Sequence, residues 1–336
     1  MITKMHIENF KCFKNFDIEL DKFNVLIGPN DSGKTAFLQA VLLAGHIYQH
    51  QEVGLHATRQ YIGKDIGGSF AWRGNFSGIR MSVCYGEPDE SMSDIAMAFQ
   101  NDGKCFRQLP GKPTYVTATT LRHGTFGPIA YYHLDPEALR RGSQIITSNE
   151  SKFNMAIDGS GFPTYLEDLL REDRKAFAEM EHLFYERFPH YHLAIQKEGK
   201  NNVISFTSRN DLKLSPQEVS DGAILYLAFL AICCRPNAPK ILMIEEPENG
   251  VHFARLKDIM DALKSVAATG KIQIILTTHS PYLLDLVEPK DVRVFSKDGE
   301  GAVTAKKLSD YPDVERMKKH FMTGEIWTML GKTESV

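Results

Sequence analysis

Apolar and polar positions change rhythm several times along this chain, and each rhythm predicts a different element. Ile2 to Ile7 and Phe16 to Leu20 read as strands, and the apolar run Phe23 to Ile27 predicts a strand leading straight into a Gly-rich loop. From Thr35 to Gly45 the spacing turns helical, with Phe37, Leu38, Val41 and Leu42 on one side. Between about 68 and 134 the stretches GIRMSVCY, DIAMAF, TYVTATTL and PIAYYHL are separated by Gly, Pro and Asp, which predicts an antiparallel sheet. Helical periodicity returns from Phe162 to Phe188, where Tyr165, Leu169, Phe177, Met180 and Phe184 recur at steps of three and four. LAIQKEGKNNVISF then predicts a hairpin with Gly199 to Asn202 in its turn. Helix and strand alternate from there: Asp221 to Cys233, Lys240 to Ile244, Phe253 to Ala268 and Ile272 to Thr278. Such alternation predicts a mainly parallel α/β core, completed by the distant Phe23 to Ile27 strand. Val292 to Ser296 reads as one more strand, and GEIWTMLG at 324 to 331 as an apolar end whose Trp327 suits docking better than chemistry.

Composition adds boundaries to this picture. At 336 residues, 43% hydrophobic and 24% charged, the chain is an ordinary globular protein that can bury a large core. No repeat, low-complexity tract or sustained heptad occurs. The opening MITKMHIENF is too polar for a signal peptide and no stretch offers 18 uncharged apolar residues, so a cytoplasmic location and no membrane partner are expected. The five cysteines, at 12, 84, 105, 233 and 234, have no CxxC spacing and read as free thiols. A net charge of −3 gives no overall field toward nucleic acid. Lys11 with Lys14, Arg140 with Arg141, and Lys318 to His320 read as solvated surface, leaving a nucleic-acid partner open.

Four motifs carry candidate chemistry. GPNDSGKT satisfies G-x-x-x-x-G-K-[ST] between a strand and a helix, the context that a phosphate-binding loop requires. Backbone N–H groups from Gly28, Pro29, Asn30, Asp31, Ser32 and Gly33 into Ala36 form the expected cradle, except at Pro29, which has none. Lys34 supplies charge to the β and γ phosphates and Thr35 a hydroxyl to Mg²⁺. Gly28 and Gly33 are expected to take positive φ and let the backbone close on the ligand. ILMIEEPENG at 241 to 250 is a buried-strand run ending in two carboxylates, which an isolated pair would ordinarily leave in solvent. Behind a phosphate loop, Glu245 is expected in the metal shell and Glu246 as the base orienting water. IQIILTTHS at 272 to 280 puts His279 where it can hydrogen-bond a γ-phosphate or the attacking water. VSDG at 219 to 222 opens a very apolar helix, with Ser220 as N-cap and the N–H groups of Asp221 and Gly222 facing an anion. Taken alone, Ser220 and Asp221 would merely cap their own helix.

In this order the motifs resemble the ABC-type ATPase heads of the SMC, RecF and OLD group, among the AAA family ATPases. ITKMHIENFKCFKNFDIEL resembles the N-terminal strands of that group, GPNDSGKT its Walker A, VSDG its degenerate signature, EEPENGVH its Walker B with D-loop, and TTHS its switch histidine. The resemblance implies an α/β P-loop NTPase with a mixed sheet core, an antiparallel β subdomain and a helical lobe. One head would comprise 1–145, 146–235 and 236–336. It further implies ATP and Mg²⁺ as cofactors and a homodimer, or higher homo-oligomer, closed through the ATP site. Ser220 and Gly222 of one protomer would meet the γ-phosphate held by Lys34 of its partner, with Asn249 near the junction.

The chain also departs from the group. Glu245 stands where many ABC proteins have Asp, as on the OLD side, and VSDG lacks the transporter LSGGQ. Gln100 has a suggestive context for the Q-loop, yet the entry to the helical lobe falls nearer Tyr132 to Asp135, so that ligand stays unassigned. No coiled-coil arm occurs, and the stretch after His279 is too short for a TOPRIM nuclease. The expected role is an ATPase that regulates a separate effector, a nuclease or toxin, in prokaryotic antiphage defence. A RecF-like DNA-binding ATPase of repair and a nucleotide sensor with an idle Glu246 are the alternatives, and a transporter subunit fits poorly.

Overall fold

The computed structural model describes residues 1–49, 79–85, 93–99, 105–108, 115–116, 128–145 and 155–333. In chain order they form β1 (Ile2–Phe10), β2 (Phe13–Glu19), β3 (Phe23–Ile27), α1 (Lys34–Gln49), β4 (Ile79–Tyr85), β5 (Ser93–Phe99), β6 (Cys105–Gln108), β7 (Tyr115–Val116) and β8 (Ile129–Tyr132). Next come α2 (Pro136–Arg140), β9 (Ser143–Gln144), α3 (Phe162–Glu172), α4 (Arg174–Arg187), β10 (His192–Glu198), β11 (Asn201–Thr207), β12 (Lys213–Leu214) and α5 (Asp221–Cys234). The remainder is β13 (Ile241–Glu245), α6 (Phe253–Ala268), β14 (Gln273–Thr278), α7 (Pro281–Leu284), β15 (Val292–Lys297), β16 (Val303–Lys307), α8 (Val314–Met317) and α9 (Thr323–Thr333). Two compact units interleave along the chain. One holds Met1–Ile129, Lys240–Met243 and Gln273–Val336, the other Ala130–Pro239 and Ile244–Ile272.

The first unit contains two sheets. Its mixed sheet runs β16-β15-β3-β14-β13, with β14 and β15 both parallel to β3 and β16 antiparallel to β15. Strands β3 and β14 are buried along their whole length, as parallel strands covered on both faces must be. The second sheet, β2-β1-β4-β5-β6-β7, is antiparallel at each pairing described. Phe16 packs with Phe13, Phe37 and Phe295 at ring centroid distances of 4.4, 6.1 and 5.6 Å, tying β2, α1 and β15 into one core. On α1, Phe37, Leu38, Val41 and Leu43 are buried, so Leu43 rather than Leu42 completes the apolar stripe. Buried Gln273 joins the sheets: Ile2 N donates to its Oε1 at 2.8 Å, and its Nε2 donates to Ile2 O at 2.7 Å and Asp21 O at 2.9 Å.

PIAYYHL does not join the antiparallel sheet as expected. Its strand β8 lies beside β13 at the end of the mixed sheet, and Lys240 N donates to Pro128 O at 2.7 Å. TYVTATTL beyond Val116 falls outside the described residues, as does Gln100.

The second unit is mostly helical. The periodic stretch 162–188 divides at Asp173, whose carboxylate accepts from Lys175 N and Ala176 N and so starts α4. Tyr165, Leu169, Phe177, Met180 and Phe184 are all buried. The hairpin is tighter than expected: Glu198 pairs with Asn201, leaving Gly199, at φ +60°, and Lys200 in the turn. Helix α5 is buried on every side from Gly222 to Ile232, which explains a sequence apolar all round.

Candidate nucleotide site

In the first unit, β3 ends at a buried Gly28, and the chain turns through Pro29 to Gly33 before α1 starts at Lys34. Asp31 and Gly33 are left-handed, at φ 62° and 95°, the alternation that can aim successive N–H groups at one anion. Lys34 Nζ lies in the mouth of this loop. It donates to the carbonyls of Gly28 and Pro29, each at 2.9 Å, and to Ser32 Oγ at 3.3 Å. Pro29, Asn30, Asp31 and Thr35 are exposed, Ala36 is half-buried and Ser32 is buried. Phe37 N donates to Gly33 O at 2.9 Å, so the first turn of α1 closes directly on the loop, the setting in which a helix N-terminus meets a phosphate.

Gly28 departs from expectation in its reason for being glycine. It does not take positive φ; instead a Cβ there would lie 2.3 Å from Phe295 O and 2.8 Å from Ser32 Oγ. The demand comes from the backbone of β15 pressing on the loop. Gly33 is the position that needs left-handed backbone, and its Cβ would also meet Cys12 Sγ at 3.0 Å. His279 follows β14 directly and is exposed. Ser280 N donates to Thr278 Oγ1 at 2.9 Å, and Pro281 opens α7.

The second unit holds the carboxylates. Tyr131 Oη donates to Glu245 Oε2 at 2.6 Å, and His133 Nδ1 stands 3.7 Å from the same oxygen. Burial first, then the hydrogen bond and charge of Glu245, raise the Tyr131 phenol far above its ordinary range, so it remains a donor. Glu246 is left-handed, with φ 45°, and its carbonyl accepts from Asn249 N at 2.9 Å. A non-glycine residue there is strained by about 1–2 kcal/mol. Such strain gathers at functional positions.

Ser220 caps α5, with its hydroxyl accepting from Ala223 N at 3.4 Å. A Cβ on Gly222 would lie 2.8 Å from Arg255 Cβ, so close packing on α6 demands glycine independently of any ligand. Arg140 overturns its reading as solvated surface. Its side chain is 3% exposed. Its guanidinium donates to Pro216 O, Val219 O, Glu137 Oε1 and Asp221 Oδ1 at 2.5 to 2.9 Å, because a buried cation must find partners on every side. A groove of about 990 Å³ in this unit brings Asp221 together with Asn249, His133, Asp135, Glu137 and Asp158.

The expected residues therefore gather in two sets. Gly28 to Ala36 and His279 belong to the first unit; Ser220, Asp221, Gly222, Glu245, Glu246 and Asn249 belong to the second. Tyr131, His133 and the buried Arg140 were missed. A period of two through PIAYYHL puts Tyr131 and His133 on one side of the extended chain, a signal available in the sequence.

Residues 125–285 match an AAA domain family described under the AbiEii toxin of a type IV TA system, and residues 1–52 match the AAA ATPase domain. The OLD nuclease of Thermus scotoductus is 23% identical over 371 residues, covering 96% of this chain and 68% of that protein. The replication and repair protein RecF of Vibrio campbellii is 48% identical over 46 residues, 13% of each chain. An SMC head bound to the C-winged helix domain of ScpA superposes with a TM-score of 0.62 at 15% identity, over 94% of this chain and 99% of that one. The SMC head of Thermotoga maritima gives 0.53 at 13% identity, over 91% and 98%. At these identities the structural likeness establishes the fold alone, the α/β architecture of an SMC head, with a mixed sheet, an antiparallel sheet and a helical unit.

Proposed function

We propose that this chain, an ABC-type ATPase head of the SMC, RecF and OLD group, hydrolyses ATP in a head-to-tail dimer and thereby controls a separate effector. The observation that carries hydrolysis, beyond binding, is Glu246. A carboxylate is kept in left-handed backbone at the end of a buried strand, where glycine or asparagine would relieve the strain. Lys34 would exchange its loop carbonyls for β and γ phosphate oxygens, and Glu246 would take the proton of the attacking water. His279 would orient that water. Ser220, Asp221 and Gly222 would offer the N-terminus of α5 to the nucleotide of a partner head.

Thr35 and Glu245 are hard oxygen donors of the type Mg²⁺ takes. Among the described residues no group of three or more His, Cys, Asp or Glu could hold a metal unaided. In nucleotide sites Mg²⁺ takes one or two protein oxygens together with the phosphates. Bound Mg²⁺ would neutralise charge on the β and γ phosphates.

An effector partner is supported by relatives whose names pair this head with another function: an OLD nuclease, a toxin of a TA system, and SMC heads solved with ScpA. A role in antiphage defence belongs to the same reading, with that effector as its agent. Among the described residues no helix is long and apolar enough to cross a membrane.

Two variants test the reading. Lys34→Ala abolishes ATP binding, and unchanged affinity would remove the phosphate-loop assignment. Glu246→Gln binds ATP, hydrolyses it roughly 10² to 10⁴ times more slowly and accumulates dimers in light scattering. Normal turnover would move the base elsewhere; slow turnover by a monomer would end the dimer mechanism. The match to RecF favours one alternative, a DNA-binding head. Duplex affinity falling steeply with salt would support that alternative, and no binding at low salt would exclude it.

A further inference from the structure

Glutamate at 245 presents a problem that aspartate would not. Its extra methylene adds a rotatable bond, and fixing a free glutamate side chain costs about 1.5–2 kcal/mol of rotamer entropy. A metal-shell carboxylate that wanders is poorly preorganised. Tyr131 removes that freedom: its hydroxyl, on a rigid ring carried by β8, meets Glu245 Oε2 at 2.6 Å. A neutral O–H donating to a carboxylate at this distance is a charge-assisted bond, stronger than one between neutral groups. The Glu245 side chain is only 11% exposed, so little water competes. His133, one residue past β8, stands 3.7 Å from the same oxygen and is 43% exposed, so Tyr131 is the closer of the two.

We propose that Tyr131 is the positioning residue for Glu245, pinning one carboxylate oxygen so that the longer acid presents the other to the metal shell as a shorter aspartate would. This rests on the reading of Glu245 as a metal-shell residue given above. Tyr131 does not touch nucleotide or metal; it acts through Glu245.

The test is nucleotide binding without turnover. A fluorescent ATP analogue is titrated with MgCl₂ in wild type, Tyr131→Phe, Glu245→Gln, Glu245→Asp and the double variant Tyr131→Phe/Glu245→Asp, with thermal melts confirming folding. Glu245→Gln should raise the half-saturating Mg²⁺ concentration; if it does not, the metal-shell reading fails, whatever Tyr131 does. With that reading intact, Tyr131→Phe should raise it about fivefold to tenfold while leaving Mg²⁺-free affinity unchanged. Glu245→Asp, too short to meet the phenol, should make the second change silent: the double variant should match Glu245→Asp alone. An unshifted Mg²⁺ dependence in Tyr131→Phe, or an equal further loss in the double variant, overturns the positioning role. Should Tyr131→Phe not fold, the same decision comes from Tyr131→Leu, which carries no donor for Glu245 and should reproduce the shift.

Discussion

Arg140 Nη2 donates to Asp221 Oδ1 at 2.5 Å and to Val219 O at 2.8 Å, so one buried nitrogen holds both sides of the residue that caps α5. Ser220 lies between those two anchors. Its hydroxyl accepts from Ala223 N at 3.4 Å, so the two anchors fix the turn from which α5 starts. The guanidinium also reaches Glu137 Oε1 on α2, so the start of α5 is referenced to the segment that follows β8.

Arg140→Ala should lower unfolding free energy by about 2–4 kcal/mol, because it leaves the carbonyls of Pro216 and Val219 without their charged donor. Arg140→Lys should recover little of this, since an ammonium cannot span the partners that the planar fork reaches. Urea denaturation measures the loss, and ATP affinity measured beside it should stay near wild type in whichever variant remains folded. A full recovery by lysine would show that charge alone, not the fork, holds the turn.

Gly28→Ala tests whether the phosphate loop is limited by backbone conformation or by space. The added methyl would stand 2.3 Å from the carbonyl oxygen of Phe295, a main-chain atom that cannot swing aside. Nucleotide affinity should drop by at least tenfold with a fall in melting temperature, because overpacking of this kind costs about 1–3 kcal/mol. Gly199→Ala is the control: it too carries positive φ, but nothing lies within 4 Å of its added methyl, so it should cost only about 1 kcal/mol and leave ATP binding intact.

The parts of this protein that local pattern dictates were legible. Strand Phe23–Ile27 and helix Phe253–Ala268 occur where the apolar runs place them, and the loop of Gly28 to Thr35 does join β3 to α1. What pattern could not give was partnership across the chain. Nothing near Arg140 announces that Pro216, Val219 and Asp221 will enclose it, so a buried cation looked like surface. Tyr131 and Glu245 are separated by more than a hundred residues and meet only because β8 leaves the antiparallel sheet to lie beside β13. Gly28 was mistaken in cause for the same reason, since the atom that excludes a side chain belongs to Phe295.

Lys297 and Asp31 pair at 2.5 Å beside the loop, with 36% and 90% of their side chains exposed. Exposed pairs contribute little, so Lys297→Ala should change stability by less than about 1 kcal/mol. The effect on ATP affinity should likewise be small and should vanish in 0.5 M salt, where the screening length is only a few ångström. A large, salt-insensitive loss of affinity would mean that Lys297 itself contacts the nucleotide, a role for which calorimetric titration at two salt concentrations is the check.

Glu246 offers the sharpest separation of stability from function. At φ 45° any residue with a Cβ is strained, whereas glycine is not. Glu246→Gly should therefore be more stable than Glu246→Ala by about 1 kcal/mol, the reverse of their order at a right-handed position. Both should lose hydrolysis together, since neither carries a carboxylate, and both should retain ATP binding through Lys34. Urea midpoints for the two variants measure the backbone, and phosphate release measures the chemistry. If alanine equals or exceeds glycine in stability, position 246 relaxes out of the left-handed region in solution, and the carboxylate is not held in strained backbone for catalysis.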